Sequence, residues 1–556
     1  MTLFPLFIAN SVIIPYSIYP LDIAQRNPVA WRIIKFAYVI SHIFSFAIIS
    51  NVIYSRFLRK HENEELLQSS DEANFIPDGL RLLVGRDFST AEDVYVPEKS
   101  LYQNILITGT IGSGKTSSAM YPFIKQLIEY SEDGFLGMLV LDVKGNFYNQ
   151  VSVYAKETGR LSDLIVVGLD SGVRYNPLDK PHLKPIVLAN RLKTILTLFT
   201  GNTGEAYWLD KAEQILCECI KLCRLYNNGY VTFLELHKLI STEGYYKEKI
   251  LILKELFQSG ELSNEDVYNL HSAVAFFEEE FLNLDSRTMS ILKSEITRIT
   301  NTFISDYNVL TTFCPNKEEI TFNGFSDVVN GSKIVVLNMN IAEYKNLAKI
   351  IAAYLKLDFQ SEVLHQLSKT SSPKSSAFIC DEFHEYVTST DSDFFAQSRE
   401  SKCINIVATQ SYTSLLNTLK DNATVKVIVQ NLINKFWFRT DDSFTIEDVQ
   451  KQIGKEDKSK ISKSISENAN ETNYNYFASS LASRNSSVSE SISTYVHTDF
   501  VYDSHFFTQE LEVFSSLAFL SDGYKILKPT KLKMLPHFED DEVVVSPSQR
   551  ARDRII

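Results

Sequence analysis

Residues 104–130 read NILITGTIGSGKTSSAMYPFIKQLIEY, an apolar run, a glycine-rich turn and a helical apolar pattern in direct succession. The turn at 109–116 fits G-x4-G-K-[ST], in which glycines let successive backbone N–H groups converge on phosphate oxygens. The N-terminus of the following helix adds a partial positive charge. The stretch therefore predicts a strand, a phosphate-binding loop and a helix, the first unit of a P-loop nucleotide-binding domain.

The residue types in this loop predict ATP and Mg²⁺ as cofactors. Lys115 is expected to reach the β- and γ-phosphates. Thr116 offers a hydroxyl to Mg²⁺, which keeps most of its waters and takes few protein ligands. The predicted nucleotide contacts are Gly109, Thr110, Ile111, Gly112, Ser113, Gly114, Lys115, Thr116 and Ser117.

A P-loop also needs a carboxylate at the end of another buried strand and a base that orients the attacking water. In SAFICDEFHEYV, residues 376–387, the apolar run ends at Asp381 and Glu382. Asp381 is predicted to hold a Mg²⁺-bound water, and Glu382 to polarise the nucleophile. Asp142, after the apolar run of GMLVLD, is the alternative. The adjacent acid pair favours Asp381 and Glu382, because Asp142 is followed by Val143.

Two further residues are candidates for sensing the γ-phosphate. Gln410 ends the apolar run CINIVAT, and Arg399 lies just before that run. A Gln at a strand end can report nucleotide state, and an arginine can stabilise transition-state charge, often from a neighbouring subunit. For Gln410 an ordinary polar strand end is the alternative interpretation.

The remaining pattern predicts an α/β fold with a mostly parallel sheet covered on both faces. Residues 62–182 and 321–540 are expected to form two parts of a nucleotide-binding domain, with an all-α domain inserted at 183–320. The polar stretch 455–493 is predicted to be a mobile surface loop, and 541–556 a tail. The strand candidates are residues 104–107, 139–143, 164–169, 333–339, 377–381, 404–409 and 435–440.

Composition narrows the class of protein. The chain has 556 residues, of which 44% are hydrophobic and 22% charged, which indicates a large globular protein with several domains. A net charge of -13 argues against a protein that coats nucleic acid with its whole surface. Its six cysteines form no CxxC pair. A soft-metal site at Cys217, Cys219 and Cys223 is disfavoured, because Cys217 and Cys219 would face different sides of a helix and no histidine is near.

Residues 1–61 differ from the rest of the chain. Apolar runs at 2–20 and 36–54 approach the roughly 20 residues that a membrane-spanning helix needs. Arg56, Arg59 and Lys60 follow the second run, which predicts a membrane anchor with the bulk of the chain in the cytoplasm. A buried helical cap on a soluble protein is the alternative.

Several motifs accompany the P-loop. Together they resemble those of type IV secretion coupling proteins, the TraG/TraD-type conjugative ATPases related to ring-forming DNA translocases, across most of residues 79–540. The sequences LDVKG and RYNPLD are more specific to this family than the loop itself. The motifs are NILITGTIGSGKT at 104–116, LVLDVKG at 139–145, RYNPLDK at 174–180, YWLDKAEQIL at 207–216, DEF at 381–383, ATQS at 408–411, VQNLINKFWFRT at 429–440 and the sequence from Leu511 onward.

The resemblance implies a RecA-like nucleotide domain, an all-α domain, two amino-terminal transmembrane helices and a hexamer with a central channel. Its expected partners are relaxase-bound single-stranded DNA, components of the secretion channel and the membrane. Two alternative functions remain. One is a receptor for protein effectors, and the other is a soluble DNA translocase or defence ATPase of the same fold. The roles of phosphate contact, metal ligand, base and sensor are implied for Gly114, Lys115, Thr116, Asp381, Glu382 and Gln410, with Arg399 as a candidate arginine finger.

Overall fold

The computed structural model describes residue 29 and residues 79–200, 206–260, 263–369, 372–468 and 487–538. The chain divides into two units, Met1–Asp78 and Gly79–Ile556, and the second is described below. The predicted membrane segments and the tail at 541–556 lie outside the described residues. Within those residues, every helix is too short or too polar to cross a bilayer.

An eleven-stranded sheet forms the centre of the second unit, in the order β2-β1-β13-β12-β9-β3-β8-β7-β4-β6-β5. A separate two-stranded ribbon is made by β10 and β11. The strands are β1 Arg81–Asp87, β2 Asp93–Pro97, β3 Ile105–Thr108, β4 Gly137–Leu141, β5 Leu164–Val167, β6 Ile334–Leu337, β7 Ser376–Cys380, β8 Cys403–Thr409, β9 Asn434–Trp437, β10 Lys455–Asn468, β11 Ser487–Phe500, β12 Ser515–Phe519 and β13 Thr530–Lys533.

The seven strand candidates from the sequence are all strands, and they form the parallel part of the sheet, from β9 through β5. Most of them are buried along their whole length, which explains why they read as continuous apolar runs. On the other edge β12, β13, β1 and β2 continue the sheet with antiparallel pairings. The predicted mixed α/β fold with a mostly parallel sheet is confirmed.

Helices cover both faces of this sheet. One face packs under α2 and α3, whose apolar sides include Phe123, Leu127 and Val151. The opposite face shares a core with α13 and with the helices between β5 and β6. The helices of the first half are α1 Glu98–Leu101, α2 Tyr121–Glu129, α3 Phe147–Glu157, α4 Pro185–Thr200, α5 Ala206–Tyr226, α6 Phe233–Ser241, α7 Tyr245–Ser259, α8 Asn264–Ala275, α9 Ser286–Ile304 and α10 Tyr307–Phe313. Those of the second half are α11 Phe325–Gly331, α12 Ile341–Tyr344, α13 Asn346–Lys369, α14 Asp391–Gln397, α15 Tyr412–Leu419, α16 Asn422–Asn431 and α17 Ser443–Ile453.

The regular secondary structure that is described in the segment between β5 and β6 is helical, from α4 to α11. Its cysteines 217, 219 and 223 are buried in the core. A buried charge cluster ties this segment to the sheet domain through α13: Asp358 accepts hydrogen bonds from Lys180 and Arg191, each at 2.8 Å. Lys180 ends the RYNPLDK motif, so this motif anchors the entry to the helical segment. The predicted domain limits at 183 and 320 stay predictions.

The prediction of a loop over 455–493 is wrong for its two ends. Residues 455–468 and 487–500 pair as the antiparallel strands β10 and β11, in an unbroken register from Lys455 opposite Phe500 to Asn468 opposite Ser487. The signal that was missed is the alternation of apolar and polar residues. In KISKSIS the apolar residues are Ile461 and Ile465, which are four positions apart and so lie on the same face of a strand. A high content of Ser and Lys masked a two-residue period that favours a strand.

A second buried ion pair holds the segment that follows β7. Lys356 of α13 and Asp391 at the start of α14 are both 0% exposed and form a hydrogen-bonded pair. The Lys356 ammonium also donates to the Tyr386 carbonyl at 2.7 Å and to the Thr388 hydroxyl at 3.1 Å. The backbone at 386–391 is thereby fixed to α13.

We expect Lys356→Ala to lower the free energy of unfolding by about 3–5 kcal/mol, because Asp391 would remain buried and unpaired. Urea denaturation followed by circular dichroism measures the change. Lys451→Ala is the control, since its ion pair with Glu447 is exposed and contributes at most about 1 kcal/mol. The double variant Lys356→Ala, Asp391→Ala should lose less than Lys356→Ala alone, and a larger loss would contradict the assignment of the cost to the unpaired carboxylate.

Candidate functional site

The glycine-rich turn connects the end of β3 to a helical segment. This segment begins as a short π-helix at Thr116–Met120 and continues as α2. Gly112 and Gly114 have φ of 77° and 97°, a backbone region that favours glycine. At Gly114 a Cβ would also lie 2.5 Å from the ring of Phe514. Both positions therefore require glycine, which explains two of the three glycines in the motif.

The predicted metal ligands lie together. The Thr116 hydroxyl donates a hydrogen bond of 2.8 Å to the Asp381 carboxylate. This proximity follows from the sheet, because β3 and β7 both flank β8 and run parallel to it, so their carboxyl ends meet at one edge. Burial raises the pKa of Asp381, and the charge of Glu382 raises it further. A cation bound beside Thr116 and Asp381 would favour the ionised carboxylate.

Lys115 is buried beside these acids. Its ammonium donates to the carbonyls of Gly109 and Thr110 within the loop. Burial lowers the pKa of Lys115, an effect that the charges of Glu382 and Asp381 oppose. The lysine thus lies close enough to the two carboxylates for their charges to act on its ammonium group.

Glu382, the predicted base, lies next to Asp381 at the end of β7. Its backbone is in the left-handed region, with φ of 49°, which turns the residue at the end of β7. Its Oε2 atom is buried and has no hydrogen-bond partner among the described residues. A buried carboxylate oxygen without a partner is unfavourable unless water or ligand occupies the site, so this atom is available to accept a proton from a water molecule.

Asp142, the alternative acid, is engaged elsewhere. Its carboxylate accepts hydrogen bonds from the backbone N–H groups of Gly145, Asn146 and Phe147, which shapes the loop after β4 and the start of α3. Burial raises the pKa of Asp142 to about 6. The residue still borders the cleft, but its oxygens are used to hold the LDVKG turn.

Two residues near the acids were missed by sequence reasoning. Lys144 lines the same cleft as Thr116, Asp142, Asp381 and Glu382. His384 lies with Nδ1 3.6 Å from Glu382 and 3.2 Å from the Thr409 hydroxyl, and burial lowers its pKa. The only sequence signal for either was its position one or two residues beyond a strand-end carboxylate.

Gln410 and Arg399 lie at opposite ends of β8. Gln410 follows the carboxyl end of β8, where Thr409 is in register with Thr108 of β3, so it is at the edge of the P-loop. Arg399 is exposed and precedes the amino end of β8. A strand of seven residues spans roughly 20 Å. The structure therefore brings Gln410, but not Arg399, to the nucleotide edge of the same chain.

Comparison with known families gives a match to part of the chain. Residues 376–496 match the family model TraG-D_C, described as the TraM recognition site of TraD and TraG. The match spans β7 through β9 and most of the β10–β11 ribbon. It therefore includes Asp381, Glu382 and Gln410. The search of curated proteins found no match.

Solved structures of similar fold cover most of the chain. The bacterial conjugative coupling protein TrwBdeltaN70, in its unbound form, aligns with a TM-score of 0.56 and 12% identity over 83% of this chain and 89% of its own. The plasmid coupling protein TrwB in complex with ADP and Mg²⁺ gives a TM-score of 0.53 and 12% identity over 83% of this chain and 96% of its own. The fold of this chain is thus similar to that of TrwB. Together with the family match at 376–496, it confirms the resemblance of this chain to type IV secretion coupling proteins of the TraG/TraD type.

Proposed function

We propose that this chain is an ATPase that couples ATP hydrolysis to the transfer of single-stranded DNA through a type IV secretion channel. The observation that carries the proposal is the hydrogen bond between Thr116 and Asp381, with Lys115 and Glu382 beside it. Such a cluster is what phosphoryl transfer to water requires: a cationic cradle, a metal-binding hydroxyl and carboxylate, and a base.

Each residue has a distinct part in the proposed reaction. The loop N–H groups and Lys115 bind the phosphates and stabilise charge that develops on the γ-phosphoryl group. Thr116 and Asp381 would hold Mg²⁺ and its water shell, and the bound metal would neutralise negative charge on the phosphates. Glu382 accepts the proton of the attacking water through its unpartnered Oε2. Gln410, at the end of β8, is the proposed sensor of the γ-phosphate.

The partners of the proposed motor are those of the similar proteins. The solved relatives include TrwB bound to ADP with Mg²⁺ and to the ATP analogue ADPNP, which supports ATP and Mg²⁺ as ligands here. The family model is described as the TraM recognition site of TraD and TraG, which supports a protein partner of the TraM type, and single-stranded DNA with its relaxase is the proposed substrate. A hexamer anchored in the inner membrane at the mouth of the channel completes the proposal.

Replacing Lys115 by Ala should weaken ATP binding and abolish turnover, because the phosphate charge loses its main counter-charge. Glu382→Gln should bind ATP normally and lower kcat at least 100-fold, since only the base is removed. Binding is measured with a fluorescent ATP analogue, and turnover by phosphate release. Glu447→Gln, an exposed glutamate on α17, is the matched control. Near-normal turnover by Glu382→Gln would show that another residue is the base.

Single-stranded DNA should stimulate the ATPase activity of the full chain several-fold. The stimulation should fall steeply over ~50–200 mM salt, because contacts to DNA phosphates weaken in that range. The measurement is phosphate release with and without an oligonucleotide, with Glu382→Gln as the blank. Stimulation by an effector protein but not by DNA would instead identify a receptor for protein substrates.

If Arg399 acts on the nucleotide of a neighbouring subunit, Arg399→Ala should be inactive alone yet regain activity when mixed with Lys115→Ala. In mixed rings some interfaces combine an intact loop with an intact arginine. Its position about 20 Å from the loop of its own chain is the reason for expecting action in trans. Activity of Arg399→Ala equal to that of the unaltered protein would remove this residue from the reaction.

A further inference from the structure

A carboxyl-terminal segment contacts the P-loop from the side away from Asp381. The N–H of Phe514 donates to the Ser113 carbonyl at 3.2 Å, and the ring of Phe514 covers Gly114. The N–H of His537 donates to the Ser117 carbonyl at 2.9 Å. This segment therefore touches the loop at two places, before and after Lys115.

The order of strands fixes which end of a bound nucleotide this segment meets. Asp381 follows β7, two strands from β3 on one side, whereas Phe514 precedes β12, two strands from β3 on the other. Because strands are about 4.8 Å apart, each lies roughly 10 Å from β3. The γ-phosphate belongs on the side of the acids, so the nucleoside belongs on the side of Phe514.

The surface on that nucleoside side is aromatic. We call Phe514, His537 and Phe538 the aromatic wall. The Phe514 and Phe538 rings are 5.7 Å apart, and those of His537 and Phe538 are 5.4 Å apart, both in edge-to-face arrangement. Tyr121 of α2 supports the wall, with its ring 5.0 Å from that of His537. Phe538 is 48% exposed, so one ring presents surface to a ligand.

We propose that the aromatic wall binds the nucleobase of the nucleoside triphosphate, with Phe538 as the ring on which the base stacks. The proposal rests on the proposed function, since it names where the nucleoside of the same nucleotide lies. Ser117 is the link: as the residue after Thr116 it belongs to the part of the loop that cradles the α-phosphate, and its carbonyl accepts the His537 N–H. A base that leaves the α-phosphate on this side meets His537 and Phe538 directly.

Stacking on an aromatic ring tolerates different bases, because every base has a π-face. Apart from the imidazole of His537, whose Nδ1 lies 3.1 Å from the Ser117 carbonyl, the wall offers only ring surface. The site therefore favours bases with large rings over small ones and discriminates weakly between adenine and guanine.

The experiment compares ATP with inorganic tripolyphosphate, which has the phosphates but no base. We expect Phe538→Ala to weaken ATP binding about 10-fold, the effect of losing one stacking partner, and to leave tripolyphosphate binding unchanged. Phe538→Trp should restore ATP binding. Phe257→Ala is the matched control, since Phe257 is 43% exposed on α7, within the helical segment.

Two results would overturn the proposal: unchanged ATP binding by Phe538→Ala, or an equal loss of ATP and tripolyphosphate, which would make the wall a support for the loop. Failure of the proposed function gives a different result, because the unaltered protein would then bind neither ATP nor tripolyphosphate. Calorimetry on the full chain with Mg²⁺ present measures the dissociation constants of ATP and tripolyphosphate for the unaltered protein and for each variant.

Discussion

The parallel alignment of β3, β8 and β7 is the constraint on which the candidate site depends. Each strand alone is a short apolar run that is followed by polar residues. Alignment at one edge brings the Thr116 hydroxyl within 2.8 Å of Asp381, although 265 positions separate them in the chain. The helical segment and the strands β4 to β6 lie between them in sequence without disturbing this register, because a parallel sheet accepts long crossovers.

The loop itself is held from two sides. On one side Asp381 and Glu382 close the space around Lys115, and on the other Phe514 packs against Gly114. Phe514 has a φ of 62°, in the region that a bulky side chain adopts only when its surroundings demand it. That strain places the ring against Gly114, a loop position that requires glycine, so the loop conformation depends on a segment 400 residues away.

The sequence predicted the parallel strands because most of them are buried along their whole length and read as apolar runs. The P-loop and the Asp381–Glu382 pair could also be predicted, because the residues of each motif are adjacent in the sequence. The β10 and β11 ribbon was missed because its alternation is carried by a few apolar residues among serines and lysines. His384 and Phe538 were missed because only the tertiary fold shows what lies beside them. The use of the Asp142 carboxylate by three backbone N–H groups is equally a property of the folded turn.

Helix α13 relates the site to the helical segment. Asp358 on this helix binds Lys180 and Arg191, and Lys356, two residues earlier, binds Asp391 and the carbonyl of Tyr386. Residues two apart on a helix do not share a face, so Lys356 and Asp358 reach their charged partners on different sides of α13. Separating either pair would leave a charge buried without a partner, which costs several kcal/mol. The backbone after Glu382 and the entry to the helical segment are therefore both bound to α13. A displacement of the loop at 381–391 would strain the Lys356 contacts and, through α13, those of Asp358.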